Sequence, residues 1–166
     1  TNSGDEEALG FLVQHYTDRQ QWERLVALYE GALRARQKPE AEQGTLLQLA
    51  MVYWRILAQS EKAEPYFARI RKLDPGHPGM LDFYRQHWAG LEDQARLLAV
   101  LVDAQRVVAE AETKLAIAVE IARLAQQADA TADRAVDAWR TVQRVDPTNT
   151  EARDALRVLY ERTEKW

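Results

Sequence analysis

The sequence repeats itself with a step of 72 residues. The run Lys72-Leu73-Asp74-Pro75 returns as Arg144-Val145-Asp146-Pro147, and Arg24-Leu25-Val26-Ala27 returns as Arg96-Leu97-Leu98-Ala99. Further pairs at the same step are Gln14-His15-Tyr16 and Gln86-His87-Trp88, Leu49-Ala50 and Ile121-Ala122, Ala63 and Ala135, and Phe67 and Trp139. A fixed period of this size, about twice 36, is typical of stacked helical hairpins. It therefore predicts a repeat array.

Apolar residues recur at helical spacing along nearly the whole chain. Leu115, Ala118, Ala122 and Ala125 show this pattern on one predicted helix. The pattern predicts nine helices, at residues 5–17, 20–37, 40–58, 60–73, 78–89, 91–108, 110–128, 131–145 and 149–164. Connections of two to four residues between them force neighbouring helices to run antiparallel. We therefore predict an all-α fold.

Residues typical of helix ends lie at the predicted breaks. Asp74-Pro75-Gly76 and Asp146-Pro147 end helices, because the residue before a proline is disfavoured in the helical region. Pro39 and Pro78 fit a first helical turn, where the missing N–H has no partner to lose. Two pairs have capping-box spacing and predict helix starts there: Ser3 with Glu6, and Thr148 with Glu151.

Two of the predicted hairpins resemble tetratricopeptide repeats. Aligned on Pro75, one reads Leu46, Leu49, Ala50, Tyr53, Ala63, Phe67, Ile70, with one extra residue between its helices. Aligned on Pro147, the other reads Ala118, Ile121, Ala122, Ala125, Ala135, Trp139, Val142. The remaining hairpins keep only the second-helix pattern: Leu25, Tyr29, Ala32 and Leu97, Leu101, Ala104. RNA-binding helical repeats and the half-a-TPR variant share this spacing and stay open.

The resemblance implies a right-handed α-solenoid of antiparallel helical hairpins. No Gly/Ser-rich linker or low-complexity tract interrupts the chain, so we predict a single array over residues 1–166. Its repeats would span residues 5–38, 40–75, 78–109 and 110–147, followed by a terminal helix at 149–164. One repeat type ends in Asp-Pro and the other does not, which indicates duplication of a two-repeat block.

Composition excludes several classes of site. The chain has no cysteine, which excludes disulfides and zinc-thiolate sites. No phosphate-binding glycine loop or Glu-x-x-His motif is present, so we expect no cofactor, no metal site and no enzyme activity. His15 and His87 are repeat equivalents and indicate packing, whereas His77 between Gly76 and Pro78 indicates a turn.

The net charge of the chain indicates its class of partner, and other features of the sequence give expectations about its source and location. The net charge of −4 argues against a nucleic-acid binder, which is usually basic. No apolar run is long enough to cross a bilayer. The chain opens Thr-Asn-Ser-Gly rather than with Met, which predicts a fragment of a longer protein. Arginine greatly outnumbers lysine, which is typical of a GC-rich genome. We expect a bacterial source; the sequence does not identify the location, and the cytoplasm is favoured.

The resemblance implies a binding groove lined by the first helix of each repeat. The residues that it places in this groove are Phe11, Gln14, Leu47, Gln48, Met51, Trp54, Arg55, Phe83, Gln86, Val119, Glu120, Arg123 and Gln127. Trp54 and Met51 on an outward face indicate a binding surface, although packing against a neighbouring repeat stays an alternative. The Lys/Asn pair of carboxylate-clamp repeats is absent, because those positions hold Gly10 and Gln14, Leu47 and Met51, Asp82 and Gln86, and Val119 and Arg123.

These patterns predict a non-catalytic protein-interaction module that binds a peptide or protein segment in the groove. Trp54 and Met51 would supply apolar contacts, and Arg55 and Arg123 would orient the partner. The alternatives are an RNA-binding helical repeat and a self-assembly module that associates through its ends, the latter suggested by Trp166. Leu47, Met51 and Trp54 correspond to Val119, Arg123 and Gln126 one step later, so the groove is not uniform.

Overall fold

The computed structural model describes residues 3–35 and 38–164, and all regular structure within them is helical. The helices are α1 (Ser3–Asp18), α2 (Trp22–Arg34), α3 (Pro39–Met51), α4 (Ser60–Leu73), α5 (Pro78–His87), α6 (Gln94–Val107), α7 (Ala111–Ala125), α8 (Ala132–Val145) and α9 (Thr150–Thr163). A π-helical segment (Val52–Ile56) follows α3, and short 3₁₀ turns (Leu91–Asp93, Asp129–Thr131) precede α6 and α8. The nine predicted helices are confirmed within these ranges; residues 36–37 of the second lie outside them.

The chain divides into two compact units, Thr1–Asp74 and Pro75–Trp166. The first unit carries α1–α4, and the second carries α5–α8 followed by α9. The 72-residue step therefore relates α1–α4 to α5–α8, one helix to one helix. Each unit contains one copy of the same four-helix block, and the second unit adds α9.

The core of each unit uses small and large residues at the same repeat positions. Ala63 and Phe67 on α4 are fully buried, and so are their equivalents Ala135 and Trp139 on α8. An alanine lets two helices approach closely, and the neighbouring ring fills the space beside it. The other buried repeat positions are Leu46, Leu49, Ala50, Ile70, Ala118, Ile121, Ala122 and Val142.

Two helices begin at equivalent side-chain caps. The Nδ1 atom of His77 accepts hydrogen bonds from the backbone N–H groups of Gly79 (3.1 Å) and Met80 (3.3 Å) at the start of α5. One step later, the side-chain oxygen of Asn149 accepts from Ala152 N–H (2.9 Å) at the start of α9. These bonds satisfy N–H groups that have no partner inside the helix. His77 is therefore a helix cap as well as part of a turn.

The predicted cap at Thr148 is wrong. Thr148 lies before the capping residue, and its hydroxyl donates to the carboxylate of Asp146 (2.6 Å), whereas Asn149 caps the helix. Asp146 thus orders the turn that ends α8. The side chain of Ser3, in the other predicted capping box, lies outside the described residues.

The last helix has one apolar side and one charged side. Ala152, Leu156 and Leu159 on α9 are buried. The opposite side is exposed and carries mainly charged residues: Arg153, Asp154, Arg157, Val158 and Glu161. Trp166, which suggested association through this end, lies outside the described residues.

Candidate functional site

A row of apolar side chains extends from α3 into the π-helical segment of the first unit. Leu47 and Met51 lie one helical turn apart on α3, and Trp54 follows three residues later in the π-helical segment. We call these three residues the apolar row. All three are half-buried, and the flanking Gln48 and Arg55 are exposed. The structure therefore brings these five predicted residues onto one surface.

Trp54 is held between a buried ring and an exposed cation. Its ring meets that of Phe67 edge-on, with centroids 5.8 Å apart and an interplanar angle of 88°. The guanidinium carbon of Arg55 lies 3.7 Å from the centroid of the Trp54 ring. A cation over an indole face is an attractive arrangement, worth about 0.5–1 kcal/mol at an exposed site. Within the described residues Arg55 forms no ion pair.

The π-helical segment determines how Trp54 and Arg55 are presented. The backbone N–H of Leu57 donates to the carbonyl of Val52 (2.9 Å), five residues earlier, so this turn holds one more residue than an α-helical turn. The chain then leaves the helix at Ala58, whose φ of 54° is left-handed. This turn accommodates the extra residue that the sequence shows between the two helices of this hairpin.

The second unit accommodates the same extra residue differently. Its helix α7 ends at Ala125, the equivalent of Tyr53, and a 3₁₀ turn at Asp129–Thr131 leads into α8. Gln126, the equivalent of Trp54, accepts a hydrogen bond from the buried indole N–H of Trp139 (2.9 Å). Trp54 and Gln126 thus both contact the large ring on the following helix, one through its own ring and the other through a hydrogen bond.

The predicted residues on α1 and α5 differ in exposure although they are repeat equivalents. Phe11 is 70% exposed and stacks on His15, whereas Phe83 is fully buried and stacks on His87. The prediction that Phe83 faces a groove is therefore wrong, because its ring has no accessible surface for a partner. Gln14 is exposed and donates to Asp18 (2.6 Å), and Gln86 is exposed.

In the second unit, charged residues join α5, α7 and α9. Arg85 on α5 forms a bidentate pair with Glu120 on α7 (2.9 Å for Nε–Oε1 and for Nη2–Oε2) and also contacts Asp82 (2.9 Å). Arg123 on α7 forms a bidentate pair with Glu151 on α9 (2.6 and 2.7 Å). We call Asp82, Arg85, Glu120, Arg123 and Glu151 the charge ladder.

These pairs shift the ionisation of their members. The hydrogen bond to Glu120 is the main cause that raises the pKa of Arg85. The hydrogen bond from Arg123 lowers the pKa of Glu151 and likewise raises the pKa of Arg123. Arg123, which the sequence suggested as a partner-orienting residue, is thus already neutralised by Glu151. Gln127 is also engaged, since it accepts a hydrogen bond from Gln94.

The first unit lacks this ladder at the equivalent positions. Asp82, Arg85, Glu120 and Arg123 correspond to Gly10, Val13, Gln48 and Met51. All four charges are replaced by uncharged residues. The first helices of the second unit are therefore joined by charged pairs, whereas the equivalent positions of the first unit hold uncharged residues and Arg55 lies exposed in its π-helical segment.

A tyrosine–carboxylate cluster also distinguishes the first unit. The hydroxyls of Tyr53 and Tyr66 both donate to Oε1 of Glu30 (3.1 and 3.2 Å), and their rings stack 5.8 Å apart. Burial, together with this hydrogen bond and the negative charge of Glu30, raises the pKa of Tyr53 to about 12. The equivalent residues in the second unit are Val102, Ala125 and Ala138. The cluster ties α2 to the π-helical segment and α4, and sequence patterns gave no signal for it.

Two of the three histidines pack against aromatic rings. His15 contacts Phe11 and Tyr16, and His87 contacts Phe83 and Trp88, as the packing interpretation predicts. No group of three or more metal-ligating side chains occurs among residues 3–35 and 38–164. In the same ranges, no helix combines the length and apolar character that crossing a membrane requires.

The family comparison concerns the first hairpin. Residues 8–42, which cover most of α1, all of α2 and the first residues of α3, match the family model described as tetratricopeptide repeat. The resemblance to tetratricopeptide repeats is confirmed. The matched hairpin is one for which the sequence showed only the second-helix pattern.

Three solved structures share the tetratricopeptide-like fold of this chain. "Crystal structure of MamA" is 13% identical with a TM-score of 0.52, covering 92% of this chain and 84% of that one. "Crystal structure of MamA protein" is 13% identical with a TM-score of 0.54, covering 93% and 80%. "MamA RS-1 ArsTM double mutant" is 16% identical with a TM-score of 0.53, covering 96% and 85%. These likenesses show the fold alone, and no curated protein matches the sequence.

Proposed function

We propose that this chain is a non-catalytic protein-interaction module that binds a peptide or protein segment on the apolar row of its first unit. The observation that carries the proposal is the contrast between the two units. The same four positions hold charge-ladder residues in one unit and Gly10, Val13, Gln48 and Met51 in the other. Tetratricopeptide-like folds generally serve as protein-interaction scaffolds, which agrees with this role.

The chemistry of the row favours a protein partner over a nucleic acid. Nucleic-acid binding needs a stripe of uncompensated Lys and Arg, whereas Arg85 and Arg123 are both paired with glutamates. The row itself offers a thioether, an aliphatic side chain and an indole, which bind apolar side chains. Tryptophan and arginine are also the residues most enriched at energetic hot spots of protein interfaces.

Binding would come mainly from completing the burial of half-buried side chains. Each square ångström of apolar surface removed from water contributes about 25 cal/mol. Trp54 suits this role because Phe67 and the π-helical segment already hold its ring in place, so little side-chain entropy is lost on binding. Arg55 would add orientation through its N–H groups.

Affinity capture followed by mass spectrometry tests the proposal. The double variant Trp54→Ala/Arg55→Ala should capture the partner about tenfold less well, because it removes both the apolar anchor and its cation. A matched control is Leu73→Ala/Val145→Ala, which removes exposed apolar side chains at equivalent positions outside the row. This control should capture the partner as the unchanged protein does.

Circular dichroism separates lost binding from lost folding. The double variant should retain its helicity, with a small loss of stability from the contact with Phe67. Equal capture by the double variant and the unchanged protein would refute the assignment of the row.

A further inference from the structure

Arg55 lies at the end of the apolar row, and no described residue forms an ion pair with it. Its guanidinium lies 3.7 Å from the centroid of the Trp54 ring, and it is exposed. We infer that the row takes a segment in which an Asp or Glu side chain lies next to bulky apolar side chains, with the carboxylate bound by Arg55. This inference rests on the proposed function and specifies the chemistry of its partner.

An arginine over an aromatic ring can still donate hydrogen bonds, and Arg55 lies over the Trp54 ring in this way. A guanidinium carries five N–H groups in its own plane, so a ring on one face leaves its edge for other partners. Two parallel N–H groups match the two oxygens of a carboxylate, as Arg85 and Arg123 show in the second unit. A carboxylate from a partner would complete at Arg55 the kind of pair that this protein forms elsewhere within itself.

At the positions equivalent to two charge-ladder carboxylates, the first unit carries uncharged residues. Glu120 corresponds to Gln48, and Asp82 corresponds to Gly10. Arg55 itself corresponds to the neutral Gln127. The first unit therefore has a cation where the second unit has none, without the acids that pair the arginines of the second unit, so a complementary partner is acidic.

The length of the row sets the size of the partner segment. Leu47 and Trp54 are seven residues apart, about 10 Å along a helix at 1.5 Å per residue. An extended segment covers that distance with about three residues, at about 3.3 Å each. The partner segment thus needs one or two apolar side chains, with the acidic one at the Trp54 end.

A display library of random 12-residue peptides, selected on the whole chain, tests the inference. On the unchanged protein, selected peptides should be enriched in Asp or Glu adjacent to Leu, Phe or Trp. On Arg55→Glu the preference should reverse to Lys or Arg, because the bound charge is reversed. A synthetic copy of a selected peptide should bind Arg55→Gln about tenfold more weakly than it binds the unchanged protein. Its affinity for the unchanged protein should fall as the salt concentration rises, because salt screens the charge pair.

Two controls separate this inference from the proposed function. Arg24→Glu reverses another exposed arginine, on α2, and should keep the acidic preference. Met51→Gln/Trp54→Gln removes the apolar contacts without adding charge and should enrich no peptide. Selected peptides without an acidic bias, or with the same bias on Arg55→Glu, overturn the inference alone. Failure of the unchanged protein to enrich any peptide beyond the Met51→Gln/Trp54→Gln control overturns the proposed function as well.

Discussion

Single residues in the two units perform the same task by different chemistry. Trp54 meets Phe67 edge-on, whereas Gln126 accepts a hydrogen bond from Trp139. The larger ring on α8 brings a buried N–H that needs an acceptor, and the residue opposite it supplies one. The two substitutions between the units therefore compensate one another and are understood as a pair.

Gln126→Ala should destabilise the protein by about 1–3 kcal/mol, because it leaves the buried indole N–H of Trp139 without a partner. Chemical denaturation measures the change. The matched background is Trp139→Phe, which installs the residue found at the equivalent position of the first unit. In that background Gln126→Ala should have a clearly smaller effect, and equal effects in both backgrounds would show that the hydrogen bond is not the cause.

At the scale of helices, repeat-equivalent helices begin 72 residues apart more often than they end 72 residues apart. His77 and Asn149 occupy the same repeat position and cap α5 and α9 with different acceptor atoms. By contrast, α3 continues into a π-helical segment where α7 stops and a 3₁₀ turn follows. A cap needs only one acceptor at one position, so the start of the helix is fixed. An extra residue can be placed inside the helix, as in the first unit, or after it, as in the second, so the end of the helix varies.

His77→Ala should destabilise the protein by about 1 kcal/mol, since it removes the acceptor for the N–H groups of Gly79 and Met80. His77→Asn, which installs the residue of the equivalent cap, should stay close to the unchanged protein. Thermal unfolding followed by circular dichroism compares the two variants. If His77 were only part of a turn and did not cap α5, both substitutions would have the same small effect on the unfolding temperature.

At the scale of the whole molecule, the sequence predicted the helices and buried positions that the two units share. It missed the contacts in which the two units differ. The helices and the buried positions such as Ala63 and Ala135 follow from periodicity, because every copy must bury the same side. The two long-range pairs of the charge ladder join residues that are 35 and 28 apart, and no local pattern reports such pairing. Phe11 and Phe83 show the limit directly: the same residue at the same repeat position is exposed in one unit and buried in the other.

Arg85 and its repeat equivalent Val13 show how two residues at one position find different partners. Arg85 reaches Glu120 on the next first helix of its unit. Val13 instead packs against the apolar cluster around Leu25. The 72-residue step identifies the two positions as equivalent, but only the contacts reveal the partner of each residue.

The two units should respond to opposite extremes of pH. The pKa of Tyr53 is raised from 10.0 to about 12, so the folded first unit holds this proton more tightly than the unfolded chain. That contribution is complete below about pH 10 and is lost as the pH rises toward 12. The pKa of Glu151 is lowered from 4.5, so its contribution to the second unit is present above that value and is lost as the pH falls below it.

Methyl NMR signals of the equivalent buried residues Ala63 and Ala135 can follow each unit separately. With rising pH the Ala63 signal should weaken first, and Tyr53→Phe should remove that difference. With falling pH the Ala135 signal should weaken first, and Glu151→Gln should reduce the acid sensitivity. The two signals could instead disappear together at each extreme of pH, and Tyr53→Phe and Glu151→Gln could each shift both signals equally. That result would show that the chain unfolds as one cooperative array. In that case the two units would differ in their surfaces, but their stabilities would be coupled.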